Sequence, residues 1–167
     1  MWPTFATDGV PNYSHYSPIR KLSFITKIGS SSAQIGVLDE LLSVSTWSLV
    51  ETDSRGGGID FDLSVRIGGR FKLIENFNEN LMYIPELAQH HSLLSLKDSS
   101  VSLELEFDTT DPNIIFFSTP GGLYKFNRKE SIDSMMRMDT SGLGSPSSLS
   151  MSDRGYLLVG FTCGSIG

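Results

Sequence analysis

Two adjacent histidines, His90 and His91, are the side chains in this sequence best suited to move a proton or bind a metal. Adjacent residues point to opposite faces of a strand and lie about 100° apart on a helix. The pair lacks the i, i+4 spacing of a helical zinc site, and no cysteine stands beside it. His15 lies far away in the N-terminal segment. Asp60 and Asp62 share one face of an alternating segment, and Glu104 and Glu106 share a face of another. Such carboxylate pairs can hold a cation, but strict alternation is also the pattern of a strand with one face in water, and both pairs are read that way. Gly142-Leu143-Gly144-Ser145-Pro146 does not complete a nucleophile elbow. Gly56-Gly57-Gly58 lacks the Lys-Ser/Thr that follows the glycines of a phosphate loop. The expectation is a non-enzyme with no catalytic residues, no metal ligands and no cofactor. Two basic clusters remain, Arg66, Arg70 and Lys72, and Lys125, Arg128 and Lys129. Each can attract phosphate or anionic lipid, or serve simply as exposed charge.

Composition narrows the field. The chain has 167 residues, 39% of them apolar, which is enough for one domain with a real core and a tail. Its formal charge is −6 and its pI about 4.9, which argues against tight, non-specific binding to bare nucleic acid. Cys163 is the single cysteine, so no internal disulfide can form, and a reducing compartment fits. No basic segment followed by an apolar stretch marks a secretory signal. Ile114-Ile115-Phe116-Phe117 is far too short to span a bilayer, so any membrane contact is expected to be peripheral.

The elements that would position these groups divide the chain in two. Residues 1–21 carry Pro3, Pro11 and Pro18 and read as a flexible arm, with four aromatic residues, Trp2, Phe5, Tyr13 and Tyr16, suited to burial or to an interface. Residues 22–167 read as a single α+β domain: a mainly antiparallel sheet packed against a few helices. A strand is expected over Leu22 to Ile28. A helix follows, opened by a Ser31…Gln34 capping box, carrying Ile35, Leu38, Leu42 and Leu49 near helical spacing and ending around Trp47. Ile59 to Ile67 and Val101 to Phe107 alternate strictly and read as strands. Phe71 to Ile74, Ile114 to Phe117, Leu123 to Phe126 and Gly155 to Cys163 read as further strands. Short helices are expected after Pro85 and over Glu130 to Met138. Residues 141–152, rich in Ser and Gly, read as a mobile loop.

This order of elements resembles the matrix proteins of rhabdoviruses; the lack of a Pro-Pro-x-Tyr or Pro-Thr/Ser-Ala-Pro budding motif fits a plant-infecting member better. The matching residues are Phe24 to Ile28, then Val37 to Trp47 with its Val44-Ser45-Thr46-Trp47 ending, then Gly56 to Gly58 and Ile59 to Gly69. Later come Ser102 to Asp108 and Gly155 to Cys163. The resemblance implies a structural protein that associates with itself, condenses the viral nucleocapsid, bridges it to the inner face of the membrane, and supports virion assembly and budding. It implies localisation beneath the virion envelope, in the host cytoplasm and at the cytoplasmic face of host membranes. It gives Trp2, Phe5, Tyr13 and Tyr16 a role as anchors between neighbouring copies. The acidic charge and the arm's short Arg20-Lys21 basic stretch depart from the lysine-rich arms of animal-virus members. The alternative expectation is a viral nucleic-acid-binding accessory protein, of movement or silencing-suppressor type, contacting RNA weakly through the two basic clusters.

Overall fold

Asp39 sets the course of the chain's first half. Its Oδ1 accepts hydrogen bonds from the backbone N–H groups of Leu41 (2.9 Å) and Ser43 (2.8 Å). Leu42 N–H closes the turn on the Asp39 carbonyl at 3.2 Å, and Leu42 itself takes a left-handed backbone with φ 58°. The chain therefore reverses where the apolar spacing predicts the middle of a helix. In the computed structural model, which describes residues 17–25, 33–51, 71–83, 87 and 102–167, the segment forms two antiparallel strands. These are β2 (Gln34–Asp39) and β3 (Ser43–Glu51), paired Leu38 to Val44 and Gln34 to Ser48.

The expected α+β architecture is thereby corrected. Among the described residues the protein is mostly antiparallel β-sheet, and no helix reaches seven residues. The physical reason lies in the same residues that suggested a helix. Gly36 weakens a helix interior, and Val37, Val44, Thr46 and Val50 are β-branched. Asp39 offers its own backbone a turn instead of a helical hydrogen bond. Left-handed geometry costs a branched residue such as Leu42 about 1–2 kcal/mol. Full burial of the side chain offsets that cost, and its carbonyl accepts from Leu81 N–H at 3.0 Å.

Three β units result. β1 (Ile19–Ile25), β2, β3 and β4 (Phe71–Asn80) form a meander, the first sheet. β5 (Glu104–Phe107), β6 (Ile114–Thr119), β7 (Gly122–Asn127) and β8 (Met136–Met138) form the second. β9 (Pro146–Met151) and β10 (Leu157–Phe161) form a C-terminal hairpin. The second sheet is the middle layer. One face sets Leu105, Phe107, Ile115, Phe117, Tyr124 and Phe126 against Leu38, Leu42 and Val44 of the first sheet. The other sets Phe116 and Leu123 against Leu149, Val159 and Phe161 of the hairpin. Burial on both faces is why β6 reads as a continuous apolar run rather than an alternation.

Two further expectations change. Glu130 to Met138 is not a helix but a short 3-10 turn over Ile132–Ser134, capped by Ser131, followed by β8. Half of the Ser/Gly-rich stretch 141–152 is strand β9, because Pro146 and Leu149 are buried against the second sheet and Leu149 pairs with Val159. The segments 1–16, 26–32, 52–70, 84–86 and 88–101 lie outside the described residues, and with 26–32 go the end of the expected Leu22 to Ile28 strand and the expected Ser31 cap. So do the expected strand at Ile59 to Ile67, most of the short helix after Pro85, the glycine loop, and all three histidines.

Candidate assembly surface

Among the described residues β1 is an edge strand of the first sheet, and its two faces are assigned against simple hydrophobicity. Its pairing with β2 aligns Lys21 with Leu38 and Ser23 with Gly36, so Lys21, Ser23 and Ile25 face inward. Leu22 and Phe24 face outward, on the same side as Val37 and Ile35, with which they pair. Leu22 is 58% exposed and Phe24 72%, whereas Ser23 is buried. On the same face, Val37 and Trp47 are buried, so exposure is concentrated at the β1 end.

The cause is found on β5. Lys21 Nζ donates to Glu104 Oε2 at 2.6 Å, and Ser102 donates to the other oxygen at 2.8 Å. Ser23 Oγ donates to Glu106 Oε2 at 3.2 Å. The two glutamates read as a solvated face in the sequence, but they lie along the seam between the first two sheets. A Leu22-in, Lys21-out register would leave both carboxylates without these donors and half-buried, a cost of several kcal/mol for charged groups. Register therefore follows the carboxylates, and two apolar side chains are left in water.

Burial holds the Glu106 carboxyl above the ordinary glutamate range, against the opposing effects of the Ser23 hydroxyl and the Lys21 charge, with Glu104 adding to the rise. A carboxyl whose pKa is raised in the folded state binds its proton more tightly there than in the unfolded chain. The contribution of Glu106 to stability is therefore expected to increase as pH falls through the raised value, with no further gain below the ordinary value of 4.5, while the aspartates whose carboxyls are held below their ordinary range, Asp108, Asp111 and Asp139, contribute in the opposite direction. Glu106→Gln, which keeps an acceptor for Ser23 without the charge, should raise the neutral-pH denaturation midpoint and flatten this dependence. Urea titrations at several pH values check it; a lower midpoint for the glutamine variant would refute the assignment.

The sequence-predicted basic residues do not converge among the described residues. Lys125 sits with its Nζ 5.8 Å from the Phe116 ring centre, on the hairpin side of the second sheet. Arg128 turns the other way and ties the two large sheets together. It donates to Asn113 Oδ1 (3.2 Å), Thr46 Oγ1 (3.1 Å) and Gln34 Oε1 (3.4 Å). Burial lowers its pKa, with the Asp111 charge opposing. Lys129 is exposed. Lys72 lies on β4, whereas Arg66 and Arg70 fall outside the described residues, as do Trp2, Phe5, Tyr13 and Tyr16. The Val44-Ser45-Thr46-Trp47 segment, which the matrix-protein resemblance places at a helix end, is the middle of β3.

An open groove of about 650 Å³ lies between the β6–β7 turn, β8 and the loop before β9, lined by Pro120, Gly122, Arg137, Asp139, Ser141 and Ser145. Arg137 donates to the Gly121 carbonyl (2.7 Å), and Ser145 Oγ donates to the Pro120 carbonyl (3.1 Å). Among the described residues, the Ser145 hydroxyl is directed to a carbonyl and not to a base. Among the described residues, no three His, Cys, Asp or Glu side chains group as metal ligands. No described helix is long and apolar enough to cross a membrane.

No protein-family model matches the chain, and no curated protein matches it. Leu22 and Phe24 escaped the sequence reading for a definable reason. In Arg20-Lys21-Leu22-Ser23-Phe24-Ile25 apolar residues occupy both parities, and hydrophobicity alone would turn Leu22 and Phe24 inward. The one available signal was the facing Glu104/Glu106 alternation, which needs donors opposite it.

Proposed function

We propose that this protein is a structural, self-associating protein that works by assembly, not by catalysis. The observation that carries the reading is the exposed Leu22–Phe24 pair on the outer face of edge strand β1. Isolated exposed apolar residues are ordinary. Here two large ones are cross-strand neighbours of Val37 and Ile35 at an edge, the arrangement that native sheets usually blunt with charge. Burying such a pair stabilises an interface by about 1.5–3 kcal/mol per side chain before ordering costs.

Trp2, Phe5, Tyr13 and Tyr16 precede this strand and are the proposed anchors between copies. The wider role rests on the sequence resemblance alone: a viral matrix layer that contacts the nucleocapsid and, peripherally, membrane lipid. The helix assigned there by that resemblance is replaced by β3, which weakens the match but leaves an assembling protein as the reading best supported. A nucleic-acid-binding role is less well supported, because Arg128 is committed to Gln34, Thr46 and Asn113 and points away from Lys125.

Sedimentation velocity over a concentration series tests the proposal. The full chain should form oligomers. A Leu22→Glu, Phe24→Glu double variant should stay monomeric with an unchanged circular-dichroism spectrum, since neither side chain enters the core. A native chain that remains monomeric at high concentration and low salt sinks the reading.

A further inference from the structure

Seven prolines punctuate the chain, and three of them follow a hydroxyl residue: Ser17-Pro18, Thr119-Pro120 and Ser145-Pro146. The three sites differ sharply. Thr119 is fully buried and its Oγ1 accepts from Gly121 N–H at 3.1 Å. Ser145 is partly buried, its hydroxyl donates to the Pro120 carbonyl, and its own carbonyl accepts from Thr162 N–H at 2.9 Å. Neither has a basic residue three positions after the hydroxyl, where Gly122 and Ser148 stand. Ser17 heads the run Ser17-Pro18-Ile19-Arg20-Lys21, with arginine three positions on and lysine after it.

The structure leaves the middle of this run accessible, with Ser17 and Lys21 half-buried at its ends. Pro18 and Arg20 are exposed, Ile19 is 52% exposed, and β1 is an edge strand. The pairing of β1 with β2 shifts register between Ile19 and Lys21, so Arg20 sits at an irregularity in the ladder. The start of the strand is thus held by few bonds. Glu40 N–H donates to the Pro18 carbonyl (3.0 Å), and Leu41 N–H donates to Ser17 Oγ (3.3 Å). Arg20 pairs with Glu40 at the surface. Because Ser17 Oγ accepts in its one described bond, its own O–H is not committed by it. Lifting residues 17–20 into an extended conformation breaks these few bonds and the Ile19–Asp39 pairing, and leaves Lys21 on Glu104.

We infer that Ser17 is a phosphoacceptor for a proline-directed serine/threonine kinase that also reads a basic side chain at the third following position. Ser17 Oγ attacks the γ-phosphorus of a nucleoside triphosphate. The new O–P bond forms as the bond to the bridging oxygen breaks, the nucleoside diphosphate leaves, and the hydroxyl proton passes to the kinase's catalytic carboxylate. The product carries close to two negative charges beside Glu40, which repel that carboxylate and compete for the Arg20 guanidinium. Ser17 lies between Tyr16 and Leu22, so the test is run on the Leu22→Glu, Phe24→Glu variant as well as on the native chain, which separates shielding by the fold from shielding by self-association.

The test incubates the folded full chain with magnesium ATP and a cyclin-dependent kinase, and locates phosphate by peptide mass spectrometry. One phosphate is expected, on Ser17, and Ser17→Ala should abolish it. Arg20→Ala should slow the initial rate about tenfold, and Arg20→Lys should largely restore it. A synthetic peptide of residues 13–24 serves as the control for access. If the peptide is modified and neither folded chain is, the fold shields Ser17 and the inference fails. It fails equally if neither is modified, or if phosphate appears on Ser145 or Thr119 with Ser17 untouched.

Discussion

Gly36→Ala is expected to destabilise the fold by roughly 3 kcal/mol, the upper part of the range for overpacking a core. A Cβ at this position would lie 2.1 Å from Phe107 Cε2, 2.4 Å from Cζ and 3.3 Å from Leu105 Cδ2. Phe107 is 4% exposed and packed within the core between the first and second sheets, so its ring has nowhere to swing. Gly36 sits in the middle of β2, between β1 and β3, and the strand cannot yield without disturbing both ladders. The contact can be tested as a cycle. Phe107→Leu alone should cost about 1–2 kcal/mol through lost volume. In the Gly36→Ala background it should cost less, or even restore stability, because the smaller side chain makes room. Urea denaturation of the four proteins reads the coupling directly. A Gly36→Ala variant within about 0.5 kcal/mol of wild type would show that the two sheets do not approach as closely as described.

Asp39→Ala should cost about 3 kcal/mol, from the loss of two hydrogen bonds to a buried carboxylate that hold the β2–β3 reversal. Asp39 is 1% exposed, and its Oδ1 receives both Leu41 N–H and Ser43 N–H. With the side-chain acceptor gone, the left-handed Leu42 is held only by its N–H bond to the Asp39 backbone carbonyl and by the Leu81 N–H bond to its own carbonyl. Asp39→Asn retains one carbonyl oxygen in the same place and should lose only about 1 kcal/mol. Denaturation midpoints measure the difference, and hydrogen exchange localises it. The Ser43 amide should lose protection in the alanine variant and keep most of it in the asparagine variant. Equal stability of the two variants would remove the turn from any role in specifying the fold.

These two positions also mark where the fold was legible in the sequence and where it was not. Strands β6, β7 and β10 fall on apolar runs bounded by turn residues, and Gly122 and Gly155 take the positive φ that such punctuation anticipates. The β2–β3 hairpin is ambiguous in sequence because its residues satisfy two periods at once. Ile35, Leu38, Leu42 and Leu49 fit a helix, whereas Leu38, Val44 and Thr46 on one face with Val37, Ser45 and Trp47 on the other fit paired strands. Only the conformational cues, Gly36 and Asp39, separate the alternatives, and they were outweighed by periodicity. Of the candidate sites, the spacing of Lys125, Arg128 and Lys129 suggested one patch. β7 ends at Asn127, and the chain's turn there sends Arg128 toward the first sheet. The exposed pair on β1 was hidden for a non-local reason: carboxylates 83 residues away set which side of the strand faces inward.

The middle position of the second sheet has a consequence for valency. With the first sheet on one side and the hairpin on the other, the outward faces of those two units point in opposite directions. One carries Leu22 and Phe24. The other carries Leu158, 52% exposed on the face of β10 away from the core, with Tyr156, 68% exposed, just before the strand. A molecule with one adhesive end closes into pairs and stops. A molecule with two, set back to back across a rigid stack, can link to a neighbour on each side and propagate. Under the proposed self-association, that is the difference between a dimer and a sheet.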